Sequence, residues 1–398
     1  MTTSTPLPAM PFEQTHLLRM APLLRALQAK GSVHRVRTRA GDEAWLVTDY
    51  EEVRRLLNDD RLGMAHPDPD NAARASESAL FGGRPPDNYE TEHADRARFR
   101  RLLQPFFAPK RMRAFQPRVE RMVTELLDGL AAGPVPADLH QALALPLPIL
   151  VICELLGVPY EDRDRFRGWS QDAAALGDRQ VSERGLAELW TYTRGLVERK
   201  RAQPADDVIS GLCAAEDDAL PVDEIAMLAA MILFAGHETT VVQIGYGAVL
   251  LLTNPDQHQA VLDDPALLPS AVEECLRVAN VGAGNGMPRY PRMDIEVAGV
   301  TIPAGDLILL DIGAANHDAQ VFADPHRLDI TRNAGAHLSF GYGAHYCIGA
   351  PLARIELQAV FSRLIPRFPA MRLAVPIEEL RLRDDLLTGG FREIPVTW

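Results

Sequence analysis

The chain has 398 residues, 47% hydrophobic and 24% charged, with a formal net charge of −13. This is a globular composition, and the acidic balance (pI near 5.4) excludes a general nucleic-acid binder, which would be basic. No uninterrupted apolar run reaches the roughly 18 residues of a membrane span, and the four cysteines, Cys153, Cys213, Cys275 and Cys347, show neither metal-finger spacing nor a disulfide framework.

Residues 1–32 read as an extension packed on the domain, without the basic region and apolar core of a secretory signal. Residues 33–49 alternate enough for two strands around the turn Ala40-Gly41-Asp42, and Asp49 opens a short helix, YEEVRRLLN. Residues 60–92 are rich in Gly, Pro, Asp and Asn without a period; a loop of that length is usually functional or disordered. Helical spacing follows at 95–107, 109–132, 140–156, 161–176, 183–203, 222–252 and 267–278. Residues 294–311 look like a hairpin with a Gly-containing bend. A long helix to about 366 follows Cys347, and a strand-rich tail ends at Trp398. With no repeat or linker visible, 33–398 reads as one mainly α domain with a small β portion.

The helix over 222–252 is apolar on nearly all faces and is expected to be buried. Its middle carries Gly236, His237, Glu238, Thr239 and Thr240, a polar island that costs several kcal/mol unless satisfied. A zinc-protease helix needs H-E-x-x-H, and position 241 is Val. The Thr239 hydroxyl can return to the Ala235 carbonyl, and Gly236 weakens the helix by ~1 kcal/mol relative to Ala. Both favour a kink with room for a small ligand or water.

The stretch Phe340–Gly349, FGYGAHYCIG, sets Cys347 among glycines and ahead of a helical pattern. A thiol ligates metal or attacks as its thiolate, and its pKa, about 8.5 when free, falls at a helix N-terminus or beside cations. Gly341, Gly343 and Gly349 let a large flat partner approach the backbone and can take positive φ.

The spacing of Phe340, Gly343, His345, Cys347 and Gly349 resembles the haem-binding signature of the cytochrome P-450 monooxygenases, F-x-x-G-x-(H/R)-x-C-x-G, at every fixed position. Ala235–Thr240 resembles the family's oxygen-activating motif, (A/G)-G-x-(D/E)-T-(T/S). The resemblance implies the cytochrome P-450 fold, with haem b sandwiched between the long central helix and the Cys-loop helix. It makes Cys347 the metal ligand, with Phe340, Gly341, Gly349 and Ala235 bordering the cofactor. Thr239 and Glu238 become the catalytic hydroxyl and acid of a proton relay; His237 has no assigned part. The propionates would be held by His345, by Arg289 in MPRYPRMD, by Arg100, and by Arg96 where the family usually has His. Glu274 and Arg277, spaced i, i+3, match the family's E-x-x-R, with Arg327 in DPHRLDITR as its later partner; all three are structural.

The same resemblance places substrate contacts in the 60–92 loop and at Met231, Phe234, Ala235, Gly284, Asn285 and Thr388. The glycine-rich VGAGNGMP suggests space for a bulky apolar molecule such as a macrolide, polyketide or terpenoid. The expected reaction inserts one atom of O₂ into a C–H or C=C bond. Its electrons come from NAD(P)H through a ferredoxin and its reductase, with docking at Arg100, Arg101, Lys110, Arg111 and Arg113. A cytoplasmic bacterial monomer is expected, with no membrane and no nucleic-acid partner. The alternatives are a haem-thiolate peroxygenase, a coupling or desaturating enzyme, and, remotely, a haem-based sensor.

Overall fold

The computed structural model describes residues 6–215, 220–279 and 286–398. In chain order its elements begin α1 (Pro22–Lys30), β1 (Val33–Arg37), β2 (Glu43–Val47), α2 (Tyr50–Leu57), β3 (Leu62–Gly63), α3 (Glu92–Leu103), α4 (Pro109–Ala132) and β4 (Ala137–Asp138). Next come α5 (Pro146–Leu156), α6 (Arg163–Ala173), α7 (Arg179–Ala202), α8 (Val208–Cys213), α9 (Val222–Thr253), α10 (Pro255–Asp263) and α11 (Leu268–Val278). The last are β5 (Met287–Pro291), β6 (Ile295–Val297), β7 (Val300–Ile302), β8 (Ile308–Leu310), α12 (Ile312–Asn316), α13 (Ala350–Arg367), β9 (Arg372–Leu373) and β10 (Pro395–Thr397). Contacts group them into two units, Met1–Ala97 with Glu273–Cys347, and Arg98–Val272 with Ile348–Trp398.

The first unit is built on a sheet of order β1-β2-β8-β5-β3. β1 and β2 pair antiparallel from Val33↔Val47 to Arg37↔Glu43, around Gly41 at φ +92°. Asp49 then caps α2 by accepting from the Glu52 N–H at 3.0 Å. Residues 294–311 do not form one hairpin. β6 and β7 pair around Ala298-Gly299, while β8 runs parallel to β2 and antiparallel to β5. The reason lies in β8 itself: Ile308, Leu309 and Leu310 are all buried, as expected of a strand inside a sheet rather than one with a wet face. Met10, Phe12, Met20 and Leu24 share a core with Val36, Leu46 and Leu309, so the segment before β1 is part of this unit's interior.

The long loop after α2 contains only β3, yet it is tied down. The Glu92 carboxylate accepts from the N–H groups of Met64 (2.6 Å) and Ala65 (3.3 Å) and from Arg292 (3.1 Å). A side chain at Gly63 would run into that carboxylate. Further along, the Arg74 N–H donates to Asp42 and the Tyr290 hydroxyl to the Ala73 carbonyl.

The second unit is organised around α9, against which α5, α7 and α13 pack. α9 is the one described helix long and apolar enough to cross a membrane by length and composition; with Leu233, Val241, Ile244 and Val249 buried, it serves as this unit's core helix. It runs unbroken through Gly236. The missing side chain there makes room for α5 rather than for a ligand, since a Cβ would lie 2.7 Å from Ile152 Cδ1. At Gly247 a Cβ would meet the Phe361 ring of α13 at 2.6 Å. The helix expected over 140–156 divides into a π-turn, His140–Ala144, and α5, which starts at Pro146. The tail contributes β9 and β10 to the sheet β4-β10-β9.

Candidate functional site

In the first unit the Cys loop is shaped by its own backbone. The Cys347 N–H donates to the Phe340 carbonyl at 2.7 Å, and the Gly341 N–H to Leu338 at 2.7 Å. Gly341 and Gly343 hold φ of +71° and +64°, a region that favours glycine, and a side chain at Gly343 would strike Asn58. Gly349, in the other unit, caps α13, its carbonyl accepting the Ala353 N–H at 3.0 Å. Cys347 is exposed. Cys153 and Cys275 are buried, and burial pushes both thiols up to about 12, which leaves them inert near neutral pH; Cys213 is also raised by burial.

A buried ion pair anchors the approach to this loop. Arg277 Nε and Nη2 donate to the two Glu274 oxygens at 2.8 and 2.7 Å, and Nη1 donates to the Asn316 and Pro325 carbonyls at 2.8 and 2.9 Å. The second arginine on Glu274 is Arg332, whose Nε lies 3.2 Å from Oε1. This corrects the sequence expectation. The Arg327 side chain is 57% exposed and pairs with Asp324 and Asp329, and only its carbonyl reaches Arg277. From this anchor, Asn316 donates to Ser339 (2.9 Å) and accepts the Leu338 N–H (2.7 Å), so α11 and α12 fix the start of the Cys loop.

Three cationic or donor groups in this unit lie close together, and the nearest ion pair to any of them is a long one, from Arg96 to the exposed Asp60 at 4.0 Å. Arg289 is 1% exposed, and its side chain donates to the Pro288 carbonyl at 2.8 Å. Burial lowers its pKa to about 10; Glu92 opposes the shift and the like charge of Arg96 adds to it. Arg96 in turn meets the His345 imidazole. A buried cation without an anion is costly, so this cluster calls for an anionic group. A dianion with a flat apolar body fits both the cluster and the glycine-lined loop bearing an exposed sulfur, and haem is such a molecule. Arg100 lies one turn beyond Arg96 on α3 and is half-buried.

In the second unit, Asp223, Met227, Met231, Ala235 and Thr239 are exposed at a spacing of four, forming one open stripe on an otherwise buried α9. Phe234 is turned off the stripe and buried. The Thr239 hydroxyl donates to the Ala235 carbonyl at 2.7 Å, as the sequence suggested, which leaves its lone pairs to the open side. Glu238 is fully buried on the flank. Its Oε2 accepts from the Thr388 hydroxyl at 3.4 Å and lies 3.7 Å from Arg383 Nη2. Burial raises its pKa, while Arg383, Thr388 and Arg167 oppose the shift. His237 is buried edge-on to Phe166, and burial pushes it down to about 3, so it is neutral. Gly284 and Asn285 lie outside the described residues. Arg332 and Arg383 were missed from the sequence: the first lies five positions beyond the motif-aligned arginine, and nothing local marks the second.

A family model described as cytochrome P-450 matches residues 191–371. Pentalenolactone synthase of Streptomyces exfoliatus is 45% identical, over 98% of this chain and 99% of the relative. Mycinamicin IV hydroxylase/epoxidase of Micromonospora griseorubida is 40% identical over 98% of each chain. Among solved structures, substrate-free PimD, a polyene macrolide antibiotic pimaricin epoxidase, matches with a TM-score of 0.89 and 42% identity, over 99% of this chain and 100% of that one. The chain belongs to the cytochrome P-450 family and has its mainly helical fold. It is a haem-dependent monooxygenase that uses O₂ and electrons supplied by redox partners, and its substrate is a small molecule.

Proposed function

We propose that Cys347 supplies the thiolate ligand of the haem, and that Arg289, Arg96, His345 and Arg100 hold its propionates. Bound haem would supply O₂ activation and the transfer of one oxygen atom to substrate. The chain's own residues manage protons. Thr239 offers a hydroxyl on the open stripe; to donate outward it must first leave the Ala235 carbonyl. Glu238, raised by burial, holds its proton closer to neutral pH than a surface carboxyl and so can both give and take it. The observation that carries this reading is the exposed Cys347, on a loop of left-handed glycines, in the same unit as the buried cation Arg289 and its neighbour Arg96.

The substrate we propose is a bulky, mostly apolar secondary metabolite, hydroxylated or epoxidised. Two exposed methionines on the stripe, Met227 (42%) and Met231 (40%), support this, because thioether side chains adapt to large irregular ligands. The named activities on mycinamicin IV and pimaricin point the same way. An acidic ferredoxin would dock at Arg100, Arg101, Lys110, Arg111 and Arg113. Arg101, Lys110 and Arg113 are exposed, whereas Arg111 is partly neutralised by Asp206 at 3.1 Å. Residues 33–398 would act as one cytoplasmic haem domain. The test is the spectrum of reduced protein under carbon monoxide. The red-shifted band of thiolate ligation should appear in wild type and in Cys153→Ser, and vanish in Cys347→Ser. Its persistence in Cys347→Ser would overturn the assignment.

A further inference from the structure

The carboxy-terminal tail brings its own polar groups onto α9. We propose that Arg383 and Thr388 are positioning residues that set the charge and orientation of the Glu238 carboxylate, and that the polar cleft walled by Arg383 is the route by which this carboxyl exchanges protons with bulk water. The proposal deepens the reading of Glu238 as the acid of the relay.

Glu238 is fully buried, and its two nearest polar contacts from outside α9 both come from residues 383–388: the Thr388 hydroxyl at 3.4 Å and Arg383 Nη2 at 3.7 Å, both on Oε2. The other oxygen, Oε1, has no hydrogen-bond partner, and neither do Nε and Nη2 of Arg383. A buried carboxyl and a largely buried guanidinium therefore face one another across a gap too long for a direct bond. The tail is pressed into this place by its backbone. Gly389 and Gly390 take φ of +66° and +90°, the Arg383 N–H donates to the Gly390 carbonyl at 2.8 Å, and a Cβ on Gly390 would lie 3.0 Å from Val242 of α9. The neighbouring carboxylates do not compete for Arg383, because Asp384 and Asp385 pair with Arg392 at 3.9 and 3.6 Å.

Arg383 also borders a cleft of about 730 Å³ whose wall includes His140, Arg167, Gln171, Asp385 and Arg392. The groups facing Glu238 are thus Arg383 and Thr388 from the tail, Arg167 from α6, and His237 on α9, with Nδ1 3.4 Å from Oε1. His140 of the π-turn adds its influence on His237 and is itself lowered by burial and by Arg383. Since His237 stays neutral, the balance at Glu238 lies between burial, which favours the acid, and the two arginines with Thr388, which favour the carboxylate. A proton arriving from cleft water would pass to the Glu238 carboxylate, and an equal positive charge would leave the water.

The experiment is an infrared pH titration of the holoprotein, following the Glu238 carboxylic-acid band identified by its loss in Glu238→Gln. Arg383→Gln should raise the midpoint by about 1–3 units, the effect of removing an opposite charge at this range. Arg383→Lys should restore most of it, and Thr388→Val should raise it less. A midpoint in Arg383→Gln equal to wild type would overturn the positioning role. Gln171→Trp, which narrows the cleft, should slow exchange of the band into deuterium oxide, and an unchanged rate would overturn the route. If Glu238→Gln left product and peroxide yields untouched, the relay reading would fall, while the titration would still judge Arg383.

Discussion

The arginine that matters beside the Glu274–Arg277 pair can be identified by rank order of stability. In Arg277→Leu, Glu274 loses both arginine bonds and keeps the Asp329 N–H (3.0 Å) and Arg332 Nε (3.2 Å), and the Asn316 and Pro325 carbonyls lose a donor. Removing one member of a buried pair costs about 3–5 kcal/mol, a large part of a typical stability of 5–15 kcal/mol. Arg332→Ala leaves the pair intact but removes a charged hydrogen bond to Glu274, together with bonds to the Ala323 and Asp324 carbonyls, about 1.5–3 kcal/mol. Arg327→Ala removes an exposed ion pair and should be almost silent. Replacing both partners, Glu274→Leu with Arg277→Leu, should recover only part of the loss: the buried carboxylate is no longer stranded, but Arg332 and the Asp329 N–H lose it as an acceptor. Urea titrations at constant m-value give the order, and retained haem content gives a second readout. If Arg327→Ala matched Arg332→Ala, or the double variant were no better than Arg277→Leu, the network as drawn would be wrong.

Four further outcomes are expected. Thr239→Val keeps the shape of the stripe and removes the hydroxyl, so the product-forming rate should fall about 10²-fold while peroxide rises; coupled assays of product and peroxide decide it. Arg289→Gln should speed haem loss to an acceptor globin about tenfold yet leave the apoprotein equally or more stable, since it relieves a buried cation; apoprotein destabilisation would contradict the anion-site reading. Gly236→Ala and Ile152→Val should be coupled, the double variant being more stable than the sum of the singles by about 1 kcal/mol, because Val lacks the Cδ1 atom that the new methyl meets; additivity would revive the kink explanation. Burial raises Asp311 to about 6, so the folded state holds this proton more tightly than the unfolded chain does. The resulting stability is present below about pH 4 and lost as pH rises through 6. Asp311→Asn should therefore gain up to about 3 kcal/mol on wild type between pH 4 and pH 7, measured by denaturant titration at both.

What could be read from the chain was whatever is local. Asp49 as a cap, Gly41 at a turn, α4 over 109–132 and the Thr239-to-Ala235 bond each depend on a few consecutive residues, and they stand where the pattern put them. What could not be read depends on partners distant in sequence. β8 has the composition of a hairpin strand, but its place is fixed by β2, some 260 residues earlier, through Trp45↔Ile308 and its neighbours. Gly236 suggested flexibility; only Ile152, brought up by α5, shows it to be a point of close packing. The same distinction separates the two arginine errors. Motif register pointed to Arg327, but register cannot tell which of two arginines in one loop turns inward, and burial of Glu274 decides for Arg332. Arg383 had no motif at all: its nearest carboxylate is 145 positions away, and it is visible only once the Gly389-Gly390 turn has folded the tail against α9. Sequence motifs thus mark the groups that touch the chemistry, whereas the groups that set their charge are chosen by the fold, and a search for such groups should begin at buried ionisable atoms that lack a partner.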